Sequence, residues 1–560
     1  MDRMADPMSA RGYDYVIVGA GSAGCLVANR LSADPGCRVL LLETGGSDRN
    51  FWLRLPVGYY RTLYDSRFAR VFETEPSEGS GGRAIRWPRG RVIGGSSSIN
   101  GLIFIRGQKE GFDDWERMGA TGWGSRDLLP FFRRYERYQG GNSQHRGAFG
   151  ELDVSDLRNR NVACEAWLEA AQQYGLPLNP DFNAETTYGV GRYQLSVGRR
   201  WRASAAAAFL HPLAGRRPNL TVISGAHATR ILFRGRTAVG VEYARNGQVE
   251  TASAASEVIL SAGALQSPQI LQLSGIGSAA LLAEHGVPVL VDQPEVGANL
   301  QDHYQVRTIV RLKAKHSLND EIRHPLKLAA MGARWLLGRG GALTVGAGQV
   351  GGAACTDYAV DGRPDVQFLV MPLSVDKPGE PLHRYSGFTA AAWQCHAASR
   401  GIVAIRSANP LDPPRIEPNY LSAAIDRKTV VAGLRMLRDI YRQRAFRDLW
   451  AEEVLPGDTV QDDAALLDFA RKAGGTVFHP VGTCRMGGED AVLDPELRVR
   501  GVDRLRVVDA SVMPLVTSGN TNAAALVIGE KGAHHILQGH RARERPSGPV
   551  AEDRPRAAAV

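Results

Sequence analysis

The stretch YDYVIVGAGSAGCLVANRL, residues 13–31, decides the fold of this chain. Its first six residues form an apolar, β-branched run, which is typical of a strand buried on both faces of a parallel sheet. A glycine turn follows, and SAGCLVANRLSA then has the apolar spacing of a helix. A second apolar run, CRVLLLE at 37–43, predicts another buried strand. Strand, helix and strand within about 30 residues predict a βαβ unit.

Glycines in the turn predict a dinucleotide site. Gly19, Gly21 and Gly24 form G-x-G-x-x-G, in which the glycines permit a tight turn, a close approach to a pyrophosphate and close helix packing. The helix N-terminus offers free N–H groups to the phosphates. Glu43 ends the second strand, where a carboxylate can accept both ribose hydroxyls and would repel a 2′-phosphate. This unit predicts FAD or NAD and leaves the choice between them open.

Length and composition fit a large globular enzyme. A chain of 560 residues exceeds the size at which one hydrophobic core stops growing, so we expect two domains or one interlaced pair. Apolar residues at 44% and charged residues at 22% argue against disordered and fibrous classes. The six cysteines form no C-x-x-C pair and no cluster with metal-ligand spacing. We therefore expect reduced thiols in a cytoplasm, and no metal site.

Charge and hydropathy bear on the partners of the chain. The formal charge of +9 comes mainly from dispersed arginines without a stacking array of aromatic residues, so no nucleic-acid partner is predicted. No stretch reaches 18 uninterrupted apolar residues, and the N-terminal run leads into the glycine motif rather than a cleavage site. We expect a cytoplasmic protein without a transmembrane anchor, with peripheral contact at the inner membrane left open. Residues 1–11 and 541–560 are polar and aperiodic, and we expect flexible tails there.

Later segments predict a second sheet. DVQFLVMPL at 365–373 and GIVAIRSA at 401–408 read as shorter, partly alternating strands, and RHPLKLAAMGARWLLG at 323–338 is amphipathic. A mixed antiparallel sheet with covering helices is expected over residues 306–474.

Three segments, GAGSAG, RGRVIGGSSSINGLIFIRG (89–107) and GALQSPQILQLSGIG (263–277), closely resemble signatures of the glucose-methanol-choline family of flavin oxidoreductases. Further matches are NLQDH (299–303), SRGIVAIRSANPLDPPRIEPNYLS (399–422), HPVGTCRMG (479–487) and VVDASVMPLVTSGNTNAAA (507–525). The matches follow the family order and span about residues 13–540. The resemblance implies bound FAD and an α/β fold. It pairs a doubly wound, Rossmann-like FAD-binding domain with a substrate-binding domain on a mixed or antiparallel sheet covered by helices.

The resemblance also implies how the domains divide the chain. The FAD-binding domain would be discontinuous, over 12–155, 205–305 and 475–540. The substrate-binding domain would take 156–204 and 306–474.

Ten residues are assigned to the cofactor by the resemblance. They are Gly19, Gly21, Ser22 and Gly24 at the pyrophosphate, Glu43 at the adenosine ribose, Gly95 and Asn100 beside the isoalloxazine or ribityl chain, Ala228 at the adenine, and Asp509 and Ala510 at the second phosphate and ribityl chain. Ala228 departs from the family, in which valine is commoner. Ile99 stands where some choline-oxidising members attach FAD covalently through histidine, so we predict dissociable FAD.

The chemistry implied by the resemblance is oxidation of an alcohol. His479 would accept the hydroxyl proton while hydride passes to flavin N5, since an unperturbed histidine pKa of about 6.5 leaves neutral imidazole available. Asn522 is predicted to be its partner, although Asn520 lies close in the motif. Phe478 and Trp393 suit an apolar or aromatic alcohol, whereas no cage for a quaternary ammonium group such as choline is identified.

Several points stay open at this level. The electron acceptor is oxygen or a quinone or dye. The alternatives to alcohol oxidation are a flavin-containing lyase that splits cyanohydrins without net redox chemistry and a flavin-binding scaffold without turnover. Retention of both His479 and Asn522 argues against the scaffold.

Overall fold

The computed structural model describes residues 12–338, 340–377 and 379–544, with side chains described up to residue 540. The strands are β1 Tyr13–Val18, β2 Val39–Glu43, β3 Ala69–Glu73, β4 Arg86–Gly90, β5 Glu136–Tyr138, β6 Leu152–Val154, β7 Gly189–Arg192, β8 Leu220–Ser224, β9 His227–Arg234, β10 Thr237–Arg245, β11 Gln248–Leu260, β12 Ile276–Gly277, β13 Val291–Asp292, β14 Tyr304–Leu312, β15 Val350–Ala354, β16 Val366–Met371, β17 Gly387–Gln394, β18 Ile402–Ala404, β19 Arg415–Glu417, β20 Trp450–Leu455, β21 Gly475–Thr476 and β22 Leu505–Val507.

The helices are α1 Ser22–Leu31, α2 Phe51–Arg54, α3 Tyr59–Thr62, α4 Lys109–Arg117, α5 Ser125–Tyr135, α6 Val162–Gln173, α7 Gln266–Leu273, α8 Ala279–Glu284, α9 Leu318–Ile322, α10 Pro325–Leu336, α11 Ala424–Arg442, α12 Arg444–Arg447, α13 Asp463–Ala473 and α14 Thr521–Glu544. Because α14 continues to Glu544, the first four residues of the predicted C-terminal tail are helical. The remainder of that tail and the predicted N-terminal tail, 1–11, lie outside the described residues.

The first sheet confirms the predicted βαβ unit. Its strand order is β8-β2-β1-β11-β10-β9, with β22 beside β11. The strands β8, β2, β1, β11 and β22 run parallel, and β11 then turns into an antiparallel meander with β10 and β9. Every residue of β2 is buried, as a strand covered on both faces requires. Helix α14 packs against α1, since a Cβ on Gly529 would lie 3.0 Å from the Cα of Ala23.

The second sheet confirms the mixed α/β class with a second, largely antiparallel layer. Its strand order is β15-β16-β17-β14-β20, with β21 paired to β14. One face is covered by α6 and α11, where Gly433 brings α11 close enough that a Cβ there would lie 2.9 Å from Val366. The opposite face packs against the 102–105 segment through Leu369, Ala391 and Trp393. The residue ranges proposed for the two domains stay a prediction.

Helix hydropathy and the cysteines bear on two of the predictions made from the sequence. No helix in the described part of the chain is long and apolar enough to cross a bilayer. None of the six cysteines forms a disulfide within the described residues, and five of them are buried.

Candidate active site

A cleft runs along the carboxyl ends of the parallel strands in the first sheet, where open α/β sheets bind their ligands. Its empty volume is about 1050 Å³ with the open mouth included. Eight of the ten residues predicted to hold the cofactor line it, namely Gly19, Gly21, Ser22, Glu43, Gly95, Ala228, Asp509 and Ala510. Residues nearly 500 positions apart in the chain therefore meet around one cavity.

The glycines of the cleft are required by its backbone geometry. Gly19 has a φ of +101°, and a Cβ on Gly24 would lie 1.9 Å from the carbonyl oxygen of Gly19, so helix α1 packs directly on the strand end. Gly95 has a φ of +54°, and a Cβ there would lie 2.6 Å from the Cα of Gly21. Above Gly21 itself the nearest atom to a Cβ would be 3.9 Å away. These glycines form a cradle that is tightly packed at Gly24 and Gly95 and open above Gly21. This shape fits a pyrophosphate that approaches the backbone.

Glu43 ends β2 with its carboxylate in the cleft. Oε2 accepts a hydrogen bond from the N–H of Ala20 at 2.9 Å, and Oε1 accepts one from the N–H of Gly45 at 2.8 Å. Burial raises the pKa of this carboxyl to about 7, and the two N–H donors oppose that rise. A ribose hydroxyl that donated to the carboxylate would favour its ionised form.

Two predicted cofactor residues, Asp509 and Asn100, differ in their position relative to the cleft. Asp509 is held by its neighbours, because its Oδ2 accepts from the N–H of Gly263 at 2.8 Å and from Oγ of Ser267 at 2.5 Å. Asn100 does not line the cleft. Its Oδ1 accepts from Nη1 of Arg202 at 2.7 Å and from the N–H of Leu102 at 3.2 Å, so it fixes the loop. A contact of Asn100 with the flavin stays a prediction.

Replacing Glu43 by Ala is expected to weaken FAD binding by roughly 10- to 100-fold, because hydrogen bonds to a charged group contribute about 1.5–3 kcal/mol. The measurement is flavin content after gel filtration, with the dissociation constant obtained by titrating the apoprotein with FAD. Glu250→Ala, in β11 and away from the cleft, is the matched control and should retain FAD. Undiminished flavin content in Glu43→Ala would contradict the ribose assignment.

His479 sits in a tightly held segment beside this cleft. Its side chain is buried, and its backbone N–H donates to Oδ1 of Asp302 at 2.8 Å. The preceding residue, Phe478, has a left-handed φ of +67°, and its carbonyl accepts from Nη1 of Arg89 at 2.9 Å. Because Arg89 also lines the cleft, it connects the imidazole segment to the predicted cofactor site. His479 is therefore fixed before any substrate arrives.

A chain of hydrogen bonds sets the tautomer of His479. Nε2 of His303 lies 3.1 Å from the carbonyl oxygen of Cys395, so that nitrogen carries the proton and donates. Nδ1 of His303 is then a bare acceptor, and Nδ1 of His479 lies 2.9 Å from it, so the His479 proton is on Nδ1. Nε2 of His479 is left with a lone pair, and Nδ2 of Asn520 donates to it at 3.1 Å. The imidazole thus presents an unprotonated nitrogen to the site.

Electrostatics keep both imidazoles neutral. Burial lowers the pKa of His303 to about 4. The pKa of His479 is held well below its ordinary value by burial first, and then by His303 and Arg89. At neutral pH His479 can therefore accept a proton, because its Nε2 carries none.

Asn520, rather than the predicted Asn522, lies beside the imidazole of His479 in the structure. Helix α14 begins at Thr521, so Asn520 stands just before the helix and faces the imidazole. Asn522 lies inside the first turn and points the other way, where its Oδ1 accepts from Oγ of Ser22 at 2.7 Å. The helix start separates the two asparagines, and the sequence motif alone did not reveal it.

Asp302 and His303 are further residues of the site. They lie in the NLQDH segment, to which the sequence analysis assigned no role. Asp302 accepts from Oγ1 of Thr476 at 2.6 Å, from the hydroxyl of Tyr420 and from the N–H of His479. Burial raises its pKa to about 6 against these donors. His303 and His479 are 176 residues apart, and no spacing rule in the sequence connects them.

An apolar wall lies beside the segment that carries Asn520. Ile103, Ile105, Leu369 and Trp393 form one buried cluster, and Val477 packs against it. The cluster abuts the segment that carries Asn520, since a Cβ on the preceding glycine would lie 1.9 Å from Cγ2 of Ile105.

Two buried polar atoms near this wall lack a hydrogen-bond partner among the described residues, Nε1 of Trp393 and Oδ1 of Asn520. Buried polar atoms in this state are normally satisfied by water or a ligand. No three His, Cys, Asp or Glu side chains in the described ranges are grouped to hold a metal ion.

Comparisons with known proteins agree with this architecture. Models of the GMC oxidoreductase family match residues 13–305 and 397–529. An alcohol dehydrogenase [acceptor] of Pseudomonas putida is 40% identical over 94% of this chain and 96% of its own length. The mitochondrial choline dehydrogenase of Homo sapiens is 41% identical over 95% of this chain and 90% of its own length.

Solved structures show the same fold. Pyridoxine 4-oxidase from Mesorbium loti superimposes with a TM-score of 0.85 at 31% identity, over 94% of this chain and 99% of that one. An Aspergillus oryzae formate oxidase variant studied for FAD modification gives a TM-score of 0.88 at 26% identity, over 95% and 99% of the two chains.

Proposed function

The chain belongs to the GMC oxidoreductase family, and from that premise we propose that it oxidises an alcohol to an aldehyde or ketone with His479 as the base. It is an FAD-dependent oxidoreductase that acts on CH–OH donors. The observation that carries the proposed role is the unprotonated Nε2 of His479, which faces Asn520 while Nδ1–H of the same ring donates to His303. The relatives reported above are named for oxidations, so the lyase alternative is not favoured.

The cleft residues fit FAD. The open space above Gly21 would admit the pyrophosphate, Glu43 would hold the adenosine ribose, and Ala228 lies in β9 at the adenine end. We propose that FAD is held without a covalent bond. In support, Ile99 stands at the position of the linking histidine and is buried against Leu53 and other apolar neighbours.

Bound FAD would supply the hydride acceptor, its N5 atom taking hydride from the alcohol carbon. The protein's own side chains take up the hydroxyl proton and hold the substrate oxygen. The hydroxyl of the substrate would donate to Nε2 of His479, replacing the present contact with Asn520. Nδ2 of Asn520 carries two N–H groups and can donate one of them to the substrate oxygen. Since His479 becomes cationic as it takes the proton, the acceptor nitrogen of His303 stabilises the charge through Nδ1–H.

The apolar wall beside Asn520 supports a substrate class. Ile103, Ile105, Leu369 and Trp393 offer apolar surface. Burial of such surface contributes about 25 cal/mol per Å² of apolar area removed from water. We propose an apolar or aromatic alcohol.

The electron acceptor we propose is oxygen or a quinone or dye, and the compartment is a reducing one such as the cytoplasm. The six cysteines, none of them in a disulfide within the described residues, support the second point, because thiols persist where the surroundings are reducing.

The function is tested by steady-state turnover of the purified holoprotein. Aliphatic, aromatic and amino alcohols are supplied with a dye acceptor, and in parallel with air and peroxide detection. We expect an aldehyde or ketone in amounts equal to the acceptor reduced. Cleavage of a cyanohydrin without acceptor reduction would contradict the proposal and favour the lyase.

A further inference from the structure

Helix α10 exposes an apolar face to solvent. On this face the exposed large side chains are Leu326 at 75% and Leu336 at 64%, and just outside the helix Ile322 is 44% and Leu337 63% exposed. Ala329, Ala330 and Ala333 are exposed as well. At about 100° per residue, these helical positions fall within an arc of about 120°. We call these seven residues the outer face of α10.

The inner side of the same helix is also apolar. Met331 and Trp335 are buried, and Met331 packs with Leu318 and Ala342. A helix that is apolar on nearly all sides is normally buried. Here Met331 and Trp335 pack on the protein, although Leu328 on the same side is 46% exposed, and the outer face stays open to solvent. The outer face is therefore a candidate docking surface.

Positive charge borders this face. Lys327 and Arg334 lie at one edge of the arc, both exposed, and α10 contains no acidic residue. The nearest preceding acids are Asp320 and Glu321 in α9, and Asp320 accepts from the backbone N–H of Ser317. Neither Lys327 nor Arg334 forms an ion pair with any residue that the structure describes.

Aromatic rings and further arginines extend the surface beyond α10. The ring of Phe51, 49% exposed, lies 5.9 Å from that of Trp335, and Trp201 lies 4.8 Å from Trp335. The guanidinium of Arg200 stands 5.4 Å from the Trp335 ring, and that of Arg54 stands 4.8 Å from the Trp201 ring. Aromatic side chains with cationic neighbours are typical of surfaces that rest at the boundary of lipid and water.

We infer that the outer face of α10 docks the protein on an anionic lipid bilayer. A helix with an apolar face and a cationic edge lies in the plane of the interface rather than across it, in keeping with the lack of a spanning helix among the described residues. A second copy of this chain fits the face less well. An antiparallel two-fold contact would bring the Lys327 and Arg334 edges of both copies together with no acid on the helix to neutralise them.

Docking would bring the substrate wall close to the lipid. The loop after α10 runs through Gly346 and Gly348, where a Cβ would lie 2.2 Å from the carbonyl oxygen of Gly101 and 2.4 Å from Cδ1 of Leu369. Leu369 belongs to the apolar wall beside Asn520. The loop that follows the docking helix thus packs against this wall.

The test is sedimentation of the holoprotein with vesicles of phosphatidylcholine alone and with about one-third phosphatidylglycerol. We expect binding to the anionic vesicles that weakens with salt. Leu326→Glu with Leu336→Glu should lower the partition coefficient about tenfold or more. Lys327→Glu with Arg334→Glu should abolish the preference for anionic lipid. Val249→Glu with Val360→Glu, at positions 68% and 70% exposed elsewhere, is the matched control and should bind as wild type does.

Three outcomes would overturn the inference. One is a wild-type protein that stays in the supernatant with both vesicle types. Another is an equal loss of binding in the control variant. The last is a wild-type protein that is a dimer by analytical ultracentrifugation and does not bind vesicles, together with a monomeric leucine variant. Flavin content and melting temperature of each variant establish that the fold is retained.

Discussion

Replacing His479 by Ala is expected to slow anaerobic flavin reduction by an alcohol roughly 10²- to 10⁴-fold, the range that a positioned base contributes. FAD content should stay at the wild-type level, because His479 is not among the residues that line the cofactor cleft. The loss is expected to be large because the imidazole offers a bare Nε2, and the replacement leaves Asn520 with no base beside it. Stopped-flow absorbance of the oxidised flavin band measures the rate.

The pH dependence of the same rate follows from the depressed pKa of His479. A histidine with a lowered pKa is neutral, and so active as a base, at every pH above that lowered value. The wild-type rate should therefore be level through neutrality and fall only on the acid side of the ordinary histidine pKa of about 6.5. His285→Ala, at the end of α8, serves as the control. An unchanged rate in His479→Ala would remove the assignment.

Replacing Asn520 by Ala is expected to slow flavin reduction roughly 10²- to 10³-fold, the cost of losing one preorganised donor to a reacting oxygen. The structure places the amide of Asn520 at 3.1 Å from the base and leaves its Oδ1 without a partner in the described chain. The substrate oxygen would lose the N–H donor that this amide supplies. The affinity for FAD should change little.

Asn522→Ala is the matched comparison, since the two asparagines are two positions apart. Its side chain contacts Ser22 at the start of α1, so its loss is expected to reduce FAD retention and to leave the reduction rate within about tenfold of wild type. A larger slowing in Asn522→Ala than in Asn520→Ala would restore the assignment made from the sequence motif.

Local patterns in the sequence predicted the first βαβ unit well. The run at 13–18 forms a strand with those bounds, and the predicted helix and second strand appear as Ser22–Leu31 and Val39–Glu43. These elements depend on short-range signals, namely an apolar run, a glycine turn and a helical period. The position of β8 next to β2 depends instead on packing between segments almost 180 residues apart, and no local pattern encodes it.

The candidate site shows the same division. The sequence motifs led to His479 and to the glycine cradle, because those residues lie within recognisable strings. They did not lead to the hydrogen bond between His303 and His479, or to the choice between Asn520 and Asn522. The first depends on long-range packing, and the second on where α14 begins. Which side of the amphipathic helix at 325–336 stays exposed was likewise decided by tertiary packing.

The most direct test of the account is a single-turnover experiment on the purified yellow protein, mixed without oxygen with an apolar primary alcohol. The account predicts that the oxidised flavin band bleaches as one equivalent of aldehyde forms. A protein that takes up no flavin, or one whose flavin stays oxidised while substrate is converted, would contradict it.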